Sequence, residues 1–236
     1  MVYVNLKTDV MKGTFTNIGL VLIVVLFFSS CKREESLTTD QNRIYSEYNY
    51  TYDANSNKTT AEAEFRISHA SGKKLELSYP ATVRFNGEAL AWRRLAGNYS
   101  LTSYAAPGNG TFEYQDTEAQ VYQNEASLLK SVELPFGLSS INKKSDFFLP
   151  WNGDPVQSGE TVEITIKAGA TKKFRANIVG STYITIDRNS LTGLVTGQAK
   201  IEIERVQIKP LEQGTFAGGK MISTYKGRTV SITITD

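Results

Sequence analysis

The chain reads as all-β, built as two tandem β-sandwiches, and three observations carry that reading. Its clear apolar segments alternate with polar residues, turn-forming residues separate them, and the same alternation recurs at an offset of 101 residues.

Taken in order, Ala61, Ala63, Phe65 and Ile67 alternate with Glu62, Glu64 and Arg66, the period-2 pattern of a strand with one wet face. Val83 and Phe85 run into Asn86-Gly87, a pair suited to a type I′ turn because both central residues must take positive φ. Leu90 and Trp92 follow on the predicted return strand. Val162, Ile164 and Ile166 form a third strand and Val230, Ile232 and Ile234 a last one. Ile201 and Ile203 have the opposite parity to Val206 and Ile208, so the sequence predicts either a β-bulge near Glu204-Arg205 or two strands meeting there. No stretch shows an amphipathic helical period.

At the 101-residue offset, Ala61, Ala63 and Phe65 fall on Val162, Ile164 and Ile166, and Val83 and Phe85 on Ile184 and Ile186. Inward positions match inward positions, which predicts two copies of one unit. Between them, Pro135 to Gly159 is rich in Pro, Gly, Ser and Asn. The predicted organisation is a signal segment at 1–30, a tether at 31–42, one sandwich at 43–141 and a second at 142–236, each near the size of an immunoglobulin-like domain.

The N-terminal segment has the three-part layout of a secretory signal. Lys12 precedes an apolar run from Ile18 to Phe28, and small polar residues follow it. Eleven helical residues rise only ~16 Å, about half of a bilayer core. Met11 is a better start than Met1, because the first ten residues place Asp9 in what should be a basic region.

The sequence Phe28-Ser29-Ser30-Cys31 resembles the lipobox of bacterial lipoproteins. That resemblance implies that a diacylglycerol is joined to the Cys31 sulfur, that the signal is cut before it, and that the new amino terminus is acylated. Cys31 is then an anchor rather than a nucleophile, and several acyl chains make membrane residence effectively permanent. Lys32-Arg33-Glu34-Glu35 resembles the export tag of surface-exposed Bacteroidota lipoproteins; read without it, the stretch is a solvated tether. Together with the strand pattern, these features resemble the tandem immunoglobulin-like β-sandwich lipoproteins of Bacteroidota surfaces. The family implies an outer-membrane, lipid-anchored, surface-exposed location and a binding role.

Of 26 Lys and Arg and 24 Asp and Glu, residues 1–30 hold only Lys7, Lys12 and Asp9. The remainder is nearly neutral, and its basic pairs are scattered, so a nucleic-acid partner is not expected. With Cys31 lipidated no cysteine remains for a disulfide, and stability must come from burial.

Candidate chemistry is sparse. The lone histidine, His69, cannot build a zinc site without several carboxylates. Glu202 and Glu204 share a strand face about 7 Å apart, a spacing open to glycosidase acid–base work, although alternating charge on a wet strand is the commoner meaning. Asp116 and Asp154 offer oxygens to calcium or, more simply, shape turns. No metal or cofactor is expected, and no nucleophile–base pair stands out. The expectation is a non-catalytic protein.

The aromatics lean toward a partner. Tyr48, Tyr50 and Tyr52 share one face of the first strand, and Trp92 and Trp151 add large rings, making these five the candidate binding residues. Exposed, such rings form a platform for sugars or an anchor patch for a protein; buried, they are core, which their enrichment in strands favours. The expected function is a surface binding or adhesion module for glycan or protein. The alternatives are an accessory subunit of an envelope assembly and, more remotely, a glycan-acting hydrolase.

Overall fold

The computed structural model describes residues 34–104 and 108–236. The signal segment and Cys31 therefore lie outside the described residues.

The described chain is an all-β sandwich assembly. Its N-terminal half supplies β1 (Ile44–Asp53), β2 (Lys58–Ile67), β3 (Thr82–Phe85), β4 (Asn98–Ser103), β5 (Gly110–Gln115) and β6 (Val121–Ala126). The C-terminal half supplies β7 (Phe147–Pro150), β8 (Glu160–Ala168), β9 (Ala170–Ala176), β10 (Tyr183–Ile186), β11 (Gly197–Pro210), β12 (Gly219–Lys226) and β13 (Val230–Thr235). One large sheet runs β2-β1-β12-β11-β8-β9, with β4 on β2 and β13 on β11. Smaller sheets face it: β6-β5-β3 over the N-terminal half and β7-β10 over the C-terminal half.

Alternation in the sequence becomes burial. Ala61, Ala63 and Phe65 on β2 point into a first core with Tyr48, Val83, Phe112 and Tyr114. Val162, Ile164 and Ile166 on β8 point into a second core with Ile184, Ile186, Ile201 and Ile234. Each large aliphatic side chain so buried contributes roughly 1.5–3 kcal/mol of transfer free energy. The residues matched at the 101-residue offset thus occupy matching layers. β2 and β8 lie in the large sheet, and β3 and β10 lie in the sheets facing it.

The hairpin after β3 forms as the sequence predicts. Asn86 and Gly87 have φ of 51° and 82°, and Phe85 pairs with Glu88 across them. The return strand is shorter than predicted. After Leu90, whose N–H donates to the Val83 carbonyl at 3.1 Å, the chain changes sheets, and Trp92 pairs with Tyr99 on β4 instead.

No bulge interrupts β11. Its pairing with β8 steps one-to-one from Glu160↔Gln207 to Lys167↔Lys200, and β11 stays one 14-residue strand. Parity is kept because Arg205, not an apolar residue, takes the inward place after Ile203. Its side chain is wholly buried, while Ile208 is left 59% exposed. The Arg205 guanidinium donates to Glu160 Oε2 at 2.5 Å, to the Pro155 carbonyl at 3.2 Å and to the Asp154 carbonyl, so it holds the 154–160 loop beneath the sheet.

β11 is long enough to border two strands in succession: β13 along Gly197–Ile201 and β12 along Glu204–Pro210. β12 then pairs in parallel with β1, from Gly219↔Ser46 to Lys226↔Asp53, and Met221 enters the first core. The step from β12 to β13 needs Gly227. A Cβ there would lie 2.3 Å from the Val132 carbonyl oxygen and 2.7 Å from Ile203 Cγ2.

The outer edge of the large sheet is blunted by charge. β9 pairs only with β8 and points Lys173 and Arg175 outward, a composition that resists edge-to-edge association.

Two outcomes follow for stability. Replacing Arg205 by Met, which strands the buried Glu160 carboxylate, is expected to cost about 3–5 kcal/mol in urea unfolding, and adding Glu160→Leu is expected to restore most of it. Gly227→Ala is expected to cost about 1–3 kcal/mol through overpacking at the β12–β13 corner, read from the same urea midpoint.

Candidate functional site

Of the five aromatic candidates, three lie in the interior. Tyr48 is fully buried and Tyr50 and Trp151 nearly so. Tyr48 stacks on Phe112 with centroids 4.7 Å apart and meets Phe65 edge-on at 6.4 Å. Tyr50 leans on Phe85 at 5.2 Å, and its hydroxyl donates to the Gly108 carbonyl at 2.5 Å. Trp151 donates from Nε1 to the Asp154 carbonyl at 3.1 Å, beneath the loop that Arg205 also holds. The tyrosine face of β1 is therefore core, because the β6-β5-β3 sheet closes over it. Its first two rings are not a surface platform. Tyr52, the third, is half-buried against Tyr225 at 5.3 Å, with its hydroxyl donating to Asn57 Oδ1 at 2.9 Å. Trp92 is half-buried on Tyr99 at 4.8 Å. The five are spread over both cores and do not converge.

The carboxylates on the large sheet's outer face sit in a charge-paired groove of about 570 Å³ lined by β8, β11 and the β1–β2 turn. Register places Arg175, Glu163, Glu204, Lys226, Asp53 and Lys58 in one row across six strands. Glu202 is held by Lys167 Nζ at 2.7 and 2.8 Å, and Glu163 by Lys173 Nζ at 2.6 Å and Arg175 Nε at 2.5 Å. Burial works to raise the Glu163 pKa, but the hydrogen bonds and charges of Lys173 and Arg175 outweigh it and leave it lowered. A carboxylate so stabilised in its ionised form is a poor general acid. Within this row Arg175 and Glu163 form a cross-strand ion pair, and Lys167 and Glu202 form another beside it.

The remaining candidates shape turns. Asp116, itself buried, accepts from the backbone N–H groups of Glu118 and Gln120 at 2.8 and 2.9 Å. His69 lies on an exposed loop with Nδ1 3.1 Å from Ser71 Oγ. Among the described residues no three His, Cys, Asp or Glu side chains gather as a metal site, and no helix is long and apolar enough to cross a membrane.

The sequence reading missed the feature that best fits a ligand. A cleft of about 420 Å³ opens between the 135–142 segment and β7, walled by Phe136, Leu138, Ile141, Phe147, Phe148 and Pro150. Phe136 is fully exposed and Phe148 is 68% exposed, and the Phe148 ring packs edge-on against the half-exposed Tyr183 at 5.3 Å. β7 pairs only with β10, and an edge position accommodates Pro150, which has no N–H to donate. Inward Leu149 and Ile184 fix this two-stranded sheet on the second core, which leaves Phe148 and Tyr183 facing out. The signal was present as Pro135-Phe136-Gly137 and Phe147-Phe148 inside the Pro- and Gly-rich segment, which reads as a junction. Bulky aromatics in a stretch with too few neighbours to bury them mark a surface.

The cleft lies at one end of the molecule. Ile141 pairs with Ile234, which pairs with Gly197 at the start of β11. The other end of β11, Pro210, pairs with Lys220, the neighbour of Glu47 near the start of β1. A 14-residue strand spans roughly 45 Å, so the cleft and the entry of the chain into β1 are at opposite ends.

No protein-family profile and no curated protein matches the sequence. Among solved structures, the chain is similar to a tetra-tandem repeat from the extending region of a large adhesion protein, at 13% identity and a TM-score of 0.26 over 79% of this chain and 49% of that one. It is also similar to a structure bearing on host cell surface retention of a 1.5-MDa bacterial ice-binding adhesin, at 12% identity and a TM-score of 0.22 over 81% and 65% of the two chains. This chain thus spans about half of the first and under two thirds of the second. At these scores no residue role is transferred from either.

The buried tyrosines give the fold an alkaline limit. Burial raises the Tyr99 phenol to about 12, against the smaller opposing effect of the hydrogen bond from the Leu77 N–H, and burial pushes Tyr48 and Tyr114 up as well. Between pH 10 and 12 the unfolded chain loses these protons while the folded chain keeps them, so the stability present below pH 10 falls as pH rises. Urea midpoints are expected to hold level from pH 8 to about 9.5 and to drop steadily above pH 10, and Tyr99→Phe is expected to shallow that drop.

Proposed function

We propose that the protein is a lipid-anchored, non-catalytic cell-envelope module, held at the outer membrane through Cys31 and facing the cell exterior, that binds or adheres to a protein partner through the Phe136–Phe148 cleft. The observation that carries this reading is placement. An apolar cleft, rimmed by exposed aromatic rings, sits at the end of β11 remote from where the tether enters. Apolar surface left in water costs solubility unless it meets a partner, and aromatic rings in such a setting are the usual anchors of protein interfaces.

The cleft's chemistry favours a protein over a glycan. Its walls are phenylalanine, leucine, isoleucine and proline, with Ser140, Asn142 and Ser145 as the side-chain polar groups. A sugar ring brings hydroxyls on every edge that need partners, whereas an apolar side chain from a protein needs only the space and the rings. The paired carboxylates of the outer face support the non-catalytic part of the reading, since Glu202 is tied up by Lys167 and Glu163 by Lys173 and Arg175.

Two measurements check this. Protease treatment of intact cells is expected to remove the protein; survival until the outer membrane is opened would overturn the surface placement. A photo-cross-linking residue at position 148 is expected to yield a discrete protein adduct on intact cells that Phe136→Ala reduces at least several-fold. An adduct pattern identical to that from position 208, an exposed apolar site away from the cleft, would sink the cleft as the binding site.

A further inference from the structure

We infer that the tether end of the molecule is a second interaction surface, one that rests on the lipid bilayer itself, with Leu37, Tyr79, Leu95 and Phe216 seated in the headgroup region. This inference builds on the proposed lipidation of Cys31.

Four exposed large apolar side chains share one end of the N-terminal sandwich. Tyr79, Leu95 and Phe216 are each at least 90% exposed, and Leu37 is 62% exposed. All four stand on segments pinned to the first described residues or to the loops beside them. Leu37 and Tyr79 flank the hydrogen bond that Ser78 N donates to Ser36 Oγ at 2.8 Å. Phe216 lies between Thr215, whose hydroxyl donates to the Ile44 carbonyl at 2.7 Å, and Ala217, whose N–H donates to the Asn42 carbonyl at 3.0 Å. Leu95 tips the hairpin closed by Arg93 and Asn98, and Lys74 Nζ reaches the neighbouring Ala96 carbonyl at 2.9 Å.

These loops are held firmly. The segment carrying Phe216 is fastened across the sandwich by the buried Asn124. That side chain donates to the Gln213 carbonyl at 2.7 Å and accepts from Glu212 N at 2.9 Å and Gln213 N at 3.1 Å. Phe216 stays out because its loop is anchored by other residues.

Chain length names the occupant. Cys31 is three residues from Glu34, the first described residue, whose backbone is already paired beside Leu75. Three residues span at most about 11 Å. With Cys31 acylated, the edge that carries Leu37 and Tyr79 is held within about 20 Å of the bilayer surface. Tyrosine suits such a boundary, with an apolar ring and a hydrogen-bonding tip, and a few apolar side chains sunk to headgroup depth orient a protein that acyl chains already retain. The distal cleft then points outward.

The test uses the full chain, processed in a bacterial host, extracted in detergent and reconstituted into vesicles of phosphatidylethanolamine and phosphatidylglycerol with brominated acyl chains. Fluorophores are placed through Tyr79→Cys, Leu95→Cys and Phe216→Cys, with Phe148→Cys as the remote control and intact mass reporting acylation. The expected result is quenching at positions 79, 95 and 216 at least twofold greater than at 148. An acylated protein with equal quenching at all four positions would overturn the bilayer contact alone. An intact mass without acyl groups would overturn the anchor and this contact together.

Discussion

The parallel pairing of β12 with β1 is the constraint on which the rest of the structure depends. Strands whose partners are 173 residues apart in sequence lie side by side from Gly219↔Ser46 to Lys226↔Asp53, and that ladder turns two sheets into one. Parallel neighbours need long connections, and here nearly the whole chain serves as the connection. The pairing tolerates little at its entry, where a Cβ on Gly219 would lie 2.1 Å from the Ser46 carbonyl oxygen. It also sends Met221 into the first core, so the last quarter of the chain completes the hydrophobic interior of the first half.

Length in β11 makes that geometry possible. A shorter strand could border β13 or β12, not both. The strand keeps an unbroken register over its length by admitting Arg205 to an inward position, a choice that obliges Glu160 and two carbonyls to follow it inside. A buried ion pair of this kind is a weak source of net stability, because desolvation offsets its attraction. Here it locates the loop beneath the second core and the neighbouring Trp151.

The same long strand separates two apolar surfaces. Near the start of β11 lies the Phe136–Phe148 cleft, and near its end lie the loops bearing Tyr79, Leu95 and Phe216. Between them the outer face of the large sheet carries lysine, arginine and carboxylates in cross-strand pairs. On the proposed anchoring through Cys31, the end bearing Tyr79 and Phe216 is the one that faces the membrane.

Local physics was legible in the residues. Period-2 alternation marked β2, β8 and β13, the positive-φ demand of a two-residue turn marked Asn86-Gly87, and the 101-residue offset aligned strands that end in matching layers. These depend only on neighbours along the chain. The sequence by itself determined that the protein is all-β and which face of β2, β8 and β13 is wet. What it could not determine were the questions asked by distant residues: whether Tyr48 and Tyr50 would be covered, whether Arg205 would find Glu160, whether Trp92 would follow its hairpin or change sheets, and where the aromatics of the junction would be left. Only the tertiary structure decided these, because burial of a ring or a charge depends on what lies across the sandwich, and the strands that close over β1 and extend its sheet come from far along the chain.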